Sequence, residues 1–209
     1  MRQEILSEGA EQRGAAVAIS IIFVGTISAL LLSYKTEDTT GGVFAILGLV
    51  IGCLALWRLG WPAPRQILGG RLSAKGFLFS LLAGLAAFAF ASLYVDFLNT
   101  IIGAEPDPMD DPTDGWWRIV ILAPLLEEWL DRGVAWEAFR RIGSQRSTLI
   151  GTAAIFALMH GLNGGLWLEF PHRFVGGLVL GYLRIRTGSL WGSVVGHGAW
   201  NTCAVFLTF

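Results

Sequence analysis

Charged residues are scarce in this sequence. They make up 15% of its 209 residues, whereas a soluble domain carries about a quarter. Hydrophobic residues reach 54%, with 9 tryptophans and 13 phenylalanines, a composition typical of a polytopic membrane protein. We therefore expect a single membrane-embedded domain over residues 1–209. The basic residues are spread in small loop clusters instead of lying on one face, which argues against nucleic-acid binding.

Cysteine is also scarce, and both copies, Cys53 and Cys203, lie in apolar runs. They are expected to be packing residues and not part of a disulfide or a metal site. No internal repeat or low-complexity tract is evident. Residues 1–14 are polar and mixed in charge, without the short apolar core of a removable signal peptide. The hydrophobic runs that follow are therefore expected to stay in the protein.

Long hydrophobic runs are what the sequence has in abundance. A membrane-spanning helix needs about 20 such residues, and the runs predict an all-α, polytopic transmembrane helix bundle with about seven spans. The runs cover residues 15–33, 41–57, 76–99, 116–139, 148–163, 172–186 and 188–208. An additional short or re-entrant helix near 164–171 would bring the number to eight.

Basic residues predict how these spans are oriented, because cytoplasmic loops are enriched in Lys and Arg. With the N-terminus in the cytoplasm, eleven of the 15 basic residues fall on the inner side and three on the outer side. The remaining one, Arg132, falls inside the membrane. The sequence thus predicts a multi-pass protein of the cell (inner) membrane, surrounded by lipids, with a cytoplasmic N-terminus.

The fourth run contains four charged residues, Glu127, Glu128, Asp131 and Arg132. Each costs about 3 kcal/mol or more at mid-bilayer depth, which favours a functional use over an ion-pair network that only orders the helix. Residues four apart share a helix face, which pairs Glu128 with Arg132 and sets Glu127 against Asp131. Either one of these two carboxyl groups then carries a proton, or a cation or a histidine lies between them.

Two histidines lie at a similar predicted depth. His160 is in the fifth run, and His197 is in the seventh, followed four residues later by Asn201 on the same helix face. At a rise of 1.5 Å per residue, Glu127 lies about 15 Å below the outer end of its span and His197 about 14 Å above the inner end. We expect these side chains to line one cavity. His172 is expected at a loop or interface, in a structural or solvated position.

These residues form three motifs that resemble those of the CPBP family, the CAAX prenyl endopeptidases and bacteriocin-processing enzymes also called Abi proteins. The motifs are Glu-Glu-x-x-x-Arg at 127–132, Phe-x-x-x-His at 156–160 and His-x-x-x-Asn at 197–201. The sequence Arg-Thr-Gly-Ser-Leu-Trp at 186–191 is also similar to the family. The resemblance covers about 115–205, and each motif lies on a separate hydrophobic run, so the three in order are more specific than any one.

The resemblance implies a role for each motif residue. Glu127 would be the general base and would activate a water molecule together with His160, while His197 and Asn201 would bind the oxyanion. Peptide hydrolysis needs both a base for water and donors where negative charge develops. Supporting residues would be Glu128, Arg132 and Asp131. Asp131 departs from the family, which usually has an aromatic or apolar residue before the arginine.

A metal is an alternative to this glutamate-type mechanism. If catalysis were metal-dependent, Glu127, His160 and His197 would hold a zinc ion that activates a bound water. The sequence lacks the His-Glu-x-x-His pattern that would favour zinc. Metal-independent catalysis without a cofactor is therefore the preferred expectation, and zinc remains open.

The predicted function is an intramembrane endopeptidase. Its substrate would be a membrane-associated peptide or protein, either lipidated or carrying a C-terminal sorting or leader peptide. The first alternative is a non-catalytic membrane protein that binds a peptide, as in bacteriocin immunity. The second is a small transporter or proton channel in which the acids and histidines act as a relay, although no two-fold repeat supports it.

Overall fold

The computed structural model describes residues 67–103, 115–161 and 166–207, together with Gly9. Five helices make up the regular structure of this part of the chain, and no strand is present there. They are α1 (Ala74–Ile102), α2 (118–142), α3 (Gln145–Gly161), α4 (Leu166–Thr187) and α5 (Leu190–Leu207). The all-α class is thus confirmed for these residues. The first two predicted spans lie outside them.

Helix α1 corresponds to the third predicted span. Ser73 caps its start by accepting a hydrogen bond from the Gly76 amide at 3.1 Å. Gly103 ends it with a φ of 64°, a left-handed conformation that glycine adopts without strain. Among the described helices, α1 alone is both long and apolar enough to cross a membrane, with a mean hydropathy of 2.1. The number of seven spans and the orientation stay predictions.

Helix α2 alternates between two helix types. Its segments Arg118–Leu122 and Trp129–Ala135 are π-helical, and Ala123–Glu128 and Trp136–Ile142 are α-helical. Pro124 lies at the start of the first α-helical segment, where a residue without an amide hydrogen is tolerated. π-helical turns use i→i+5 hydrogen bonds and occur frequently at functional sites. They also change which side chains share a face of the helix.

Glycines allow the helices to approach closely. Helix α3 packs along α4, and α1 packs along α5 and α4. A Cβ at Gly177 of α4 would lie 2.9 Å from the Cα of Ala153, and one at Gly84 of α1 would lie 2.1 Å from the Gly196 carbonyl oxygen. Each of these positions has backbone as its neighbour, so only glycine permits the observed packing.

The structure of α4 differs in two places from what the sequence led us to expect. Residues 166–171 are its first turns, so no separate short helix forms over those residues. Pro171 is the sixth residue of α4, where it removes one hydrogen bond of the helix. His172 therefore lies in a helix instead of a loop. It is buried, and its ring centroid is 5.4 Å from that of Tyr94.

The segment 67–70 is fastened to the far end of α4. Arg184 donates hydrogen bonds to the Ile67 carbonyl at 2.7 Å and to the Leu68 carbonyl at 3.0 Å. The Gly70 amide donates to the Gly188 carbonyl at 2.8 Å. Ile67 packs against α2, where it is part of the hydrophobic cluster around Leu130. The segment thereby links α4 to the helix that bears the acidic residues.

Candidate active site

Adjacent glutamates on α2 point to different surroundings. Glu128 is fully buried, whereas the side chain of Glu127 is 24% exposed. Consecutive helical residues are about 100° apart around the axis, so the two carboxyl groups diverge. Glu127 Oε2 lies 3.4 Å from His160 Nε2 and 3.9 Å from His197 Nε2. One carboxyl oxygen therefore faces both imidazoles, which come from α3 and α5.

A backbone carbonyl orients His160. Its Nδ1 lies 2.8 Å from the Phe156 oxygen, one helical turn earlier. A carbonyl oxygen only accepts hydrogen bonds, so Nδ1 carries a hydrogen. In the neutral ring, Nε2 then has a free lone pair directed at Glu127. The side chain of His160 is 22% exposed, so this edge of the site is accessible.

A carboxylate orients His197 in the same way. Its Nδ1 donates to Glu128 Oε1 at 2.9 Å, and its Nε2 is the atom that faces Glu127. The His197 side chain is only 4% exposed. Glu128 Oε1 also accepts a hydrogen bond from Arg132 at 3.1 Å, as the four-residue spacing predicted. The buried carboxylate thus lies between an arginine and an imidazole.

Arg132 is fully buried and has three neighbours besides Glu128. One guanidinium nitrogen donates to the Gly177 carbonyl of α4 at 2.7 Å. The guanidinium carbon lies 4.8 Å from the centroid of the Phe156 ring. The third neighbour is Asp131, whose Oδ2 lies 3.5 Å from Arg132 Nη1. Arg132 therefore connects α2 to α3 and α4 beneath the pair of histidines.

Asp131 has little to compensate its carboxyl group. Asp131 is fully buried, neither of its carboxyl oxygens makes a hydrogen bond, and Arg132 is the cation beside it. The second π-helical segment begins at Trp129, and Glu128 and Arg132 still pair across its start. The opposition of Glu127 and Asp131 stays a prediction, while Glu127 faces both histidines.

Asn201 lies one turn after His197 on α5, but its amide contacts α2. Its Nδ2 donates to the Ile119 carbonyl at 2.8 Å, within the first π-helical segment. A carboxamide nitrogen has two hydrogens, so one remains available after this bond. The asparagine thereby ties α5 to α2 at the edge of the site.

The residues that form this geometry lie in a region that matches a known family model. The family model described as Type II CAAX prenyl endopeptidase Rce1-like matches residues 112–203. Over these residues, the chain is similar to the CPBP family. The match includes all three motifs and agrees with the extent of 115–205 predicted from them. Neither the curated proteins nor the solved structures include a match to this chain.

The match with this family model suggests a general activity for the matched region. The model describes CAAX-type endopeptidases, which are membrane-embedded proteases. The apolar helix α1 is consistent with that setting. The polar cluster of α2, α3 and α5 lies inside the matched region, as do the two π-helical segments.

Two residues at this candidate site were not recognised from the sequence as parts of it. Phe156 appeared only as the first position of its motif, yet its ring lies against both histidines and Arg132. Arg173 is one of the three basic residues predicted for the outer side, and it lies in α4 with its guanidinium carbon 6.0 Å from the Trp200 ring centroid. The four-residue spacing from Phe156 to His160 was a usable signal for the first, and no signal pointed to the second.

Zinc was the open alternative for this candidate site. Imidazole nitrogens and a carboxylate are suitable zinc ligands, and both Nδ1 atoms are held by partners that leave Nε2 free. Within 67–103, 115–161 and 166–207, no group of three or more His, Cys, Asp and Glu is recognised as a metal site. The donor types suit zinc, and metal dependence stays a prediction.

Proposed function

We propose that this chain is a multi-pass intramembrane endopeptidase of the cell (inner) membrane. Glu127 and His160 would activate water, and His197 and Asn201 would bind the oxyanion. The observation that carries the proposal is the approach of Glu127 Oε2 to both imidazole Nε2 atoms, at 3.4 and 3.9 Å. The substrate would be a membrane-associated peptide, lipidated or carrying a C-terminal sorting or leader sequence.

Glu127 acts as the base in this proposal. A water molecule beside its carboxylate and His160 Nε2 loses a proton to Glu127 while its oxygen forms a bond to the peptide carbonyl carbon. The carbonyl electron pair moves to the oxygen and produces the oxyanion. Glu127 then transfers the proton to the amide nitrogen, and the carbon–nitrogen bond breaks. His160 orients the water through its lone pair, which the Phe156 carbonyl directs toward the site.

His197 is suited to stabilise the oxyanion because Glu128 lies behind it. When Nδ1 donates to Glu128 Oε1, a protonated ring still has an Nε2 hydrogen to give to the oxyanion. The carboxylate compensates the imidazolium charge, and Arg132 holds that carboxylate in place. The second amide hydrogen of Asn201 is the other candidate donor.

The test replaces the Glu127 carboxylate, the proposed base, with an amide of nearly the same shape. Glu127→Gln is expected to lower the cleavage rate about 100- to 10,000-fold, the usual contribution of a positioned base. Glu137→Gln is the matched control: Glu137 lies on the same helix, paired with Arg140 at 3.2 Å and distant from the histidines. The control should cleave like the parent protein.

Substrates for this assay come from membrane fractions of cells that produce either the parent protein or Glu127→Gln. Peptides whose new termini depend on Glu127 are then cleaved by purified protein in detergent. A Glu127→Gln protein that folds and still cleaves them would refute the proposal. Peptide binding or protection that survives Glu127→Gln, with no cleavage by either protein, would support the immunity alternative.

Metal dependence is measured in the same assay. Activity that persists in a zinc chelator supports the glutamate-type mechanism. Activity that is lost and then restored by added zinc would assign Glu127, His160 and His197 as metal ligands, with zinc supplying the activated water.

A further inference from the structure

We propose that Phe156 is a positioning residue whose ring holds His160, His197 and Arg132 in their working arrangement. This inference rests on the proposed function and deepens it. Its basis is a single ring in contact with groups from three helices. The ring itself takes no part in proton transfer and does not contact the reacting atoms.

The geometry places Phe156 at the centre of the site. The residue is almost fully buried. Its ring centroid lies 4.4 Å from that of His160 in a tilted arrangement and 5.5 Å from that of His197 in an edge-on arrangement. The guanidinium carbon of Arg132 lies 4.8 Å from the same centroid. The backbone of Phe156 contributes as well, through the carbonyl that binds His160 Nδ1.

A flat aromatic ring can do what an aliphatic side chain of similar volume cannot. Its face is electron-rich and attracts the cation of Arg132, and its edge and face restrict how neighbouring rings are oriented. Leucine at this position would fill most of the space but would offer neither interaction. Both imidazoles and the guanidinium would then gain rotational freedom.

Through its contact with Arg132, the Phe156 ring also influences His197, one of the residues proposed to bind the oxyanion. Arg132 donates to Glu128 Oε1 and to the Gly177 carbonyl, and Glu128 in turn accepts from His197 Nδ1. A guanidinium held flat on the Phe156 ring keeps its two nitrogens directed at these acceptors. Loss of the ring is therefore expected to disturb His197 twice, directly and through Glu128.

Histidine resonances test the inference without any activity. The chain has 3 histidines, so imidazole signals of 15N-labelled protein can be assigned with single His→Gln variants. Phe156→Leu should move the signals of His160 and His197 and leave that of His172 in place. His172 lies against Tyr94 instead, so Tyr94→Leu should move His172 alone. Unchanged His160 and His197 signals in a folded Phe156→Leu protein would overturn the proposal.

Kinetics separate positioning from general damage to the core. Phe156→Leu should lower kcat about 10- to 100-fold, the range that small misplacements of reacting groups produce, with KM changed less than about twofold because no substrate contact is lost. Ile155→Ala is the control, since Ile155 is buried in the cluster around Leu130, away from the histidines. An equal fall of kcat in Ile155→Ala would show that core disruption alone explains the loss.

Fluorinated phenylalanine incorporated at position 156 covers the case in which leucine prevents folding. It retains the ring and its approximate size, but the electron-poor face attracts Arg132 less. An intermediate fall of kcat is expected, and full activity together with unmoved imidazole signals would reject the ring's role. The two proposals fail separately: an active Glu127→Gln protein refutes the endopeptidase mechanism and leaves the imidazole measurement interpretable.

Discussion

At the residue scale, the buried carboxylates Glu128 and Asp131 differ in what compensates their charge. Glu128 accepts hydrogen bonds from both Arg132 and His197. Asp131 has no hydrogen bond and lies 3.5 Å from an arginine nitrogen that Glu128 already engages. A buried charge stabilises a fold only when partners offset its desolvation. The two residues should therefore respond in opposite directions when their charge is removed.

We predict that Asp131→Asn raises the unfolding free energy by about 1 kcal/mol, because a poorly compensated buried charge is removed while Arg132 keeps its other partners. Glu128→Gln should lower it by about 2 kcal/mol, since two charge-assisted hydrogen bonds weaken. Thermal unfolding in detergent measures both. Equal destabilisation by the two changes would mean that Arg132 depends on the Asp131 carboxylate.

At the element scale, the close contact of α3 with α4 determines where Arg132 finds its acceptor. Gly177 brings its carbonyl within 2.7 Å of Arg132 and leaves no room for a Cβ beside Ala153. On α2, the first π-helical segment contains Ile119, whose carbonyl accepts the hydrogen bond from Asn201. The π-helical shape of α2 and the close spacing of α3 and α4 thus both determine which contacts the site residues make.

Gly177→Ala should therefore lower the unfolding free energy by about 1–3 kcal/mol, the usual cost of overpacking, and reduce cleavage as well. The new methyl group would meet the backbone of Ala153, which cannot move away as a side chain would. Gly70→Ala is the control, because its nearest neighbour would be at an ordinary 3.7 Å. Similar losses in both variants would contradict the packing argument.

At the scale of the whole molecule, the segment 67–70 joins distant parts of the chain. Arg184 reaches two carbonyls of this segment, and Ile67 packs beneath Gly133 of α2, where a Cβ would come within 2.7 Å of the isoleucine side chain. The chain preceding α1 is therefore coupled to the helix that bears Glu127. This connection was not predicted from the sequence.

Removal of the Arg184 hydrogen bonds should weaken the attachment of the segment 67–70 to α4. Arg184→Ala is expected to lower the unfolding free energy by about 3 kcal/mol, because one buried and one partly buried carbonyl lose a charged donor. Arg186→Ala, an exposed arginine on the same helix, should change it little. Hydrogen exchange at 67–72 provides the local measurement. Unaltered exchange in Arg184→Ala would show that packing of Ile67 alone fastens the segment.

What the sequence determined by itself was local and periodic. The hydrophobic runs predicted helices, and four of the five described helices begin and end within three residues of their runs, while α4 begins six residues earlier. The Glu128–Arg132 pair followed from four-residue spacing, and the three motifs lie in order inside the region that matches the family model. Each of these depends on neighbours within a few turns or on residue identity, which a sequence displays directly.

Only the tertiary structure decided the rest, because it depends on how separate helices meet. Hydrophobic periodicity carries no signal for the two π-helical segments of α2. The approach of Glu127 to two histidines, the central ring of Phe156 and the reach of Arg184 across 116 positions all arise from packing between elements. Such contacts follow from the shapes of facing side chains, which spacing along one helix does not contain.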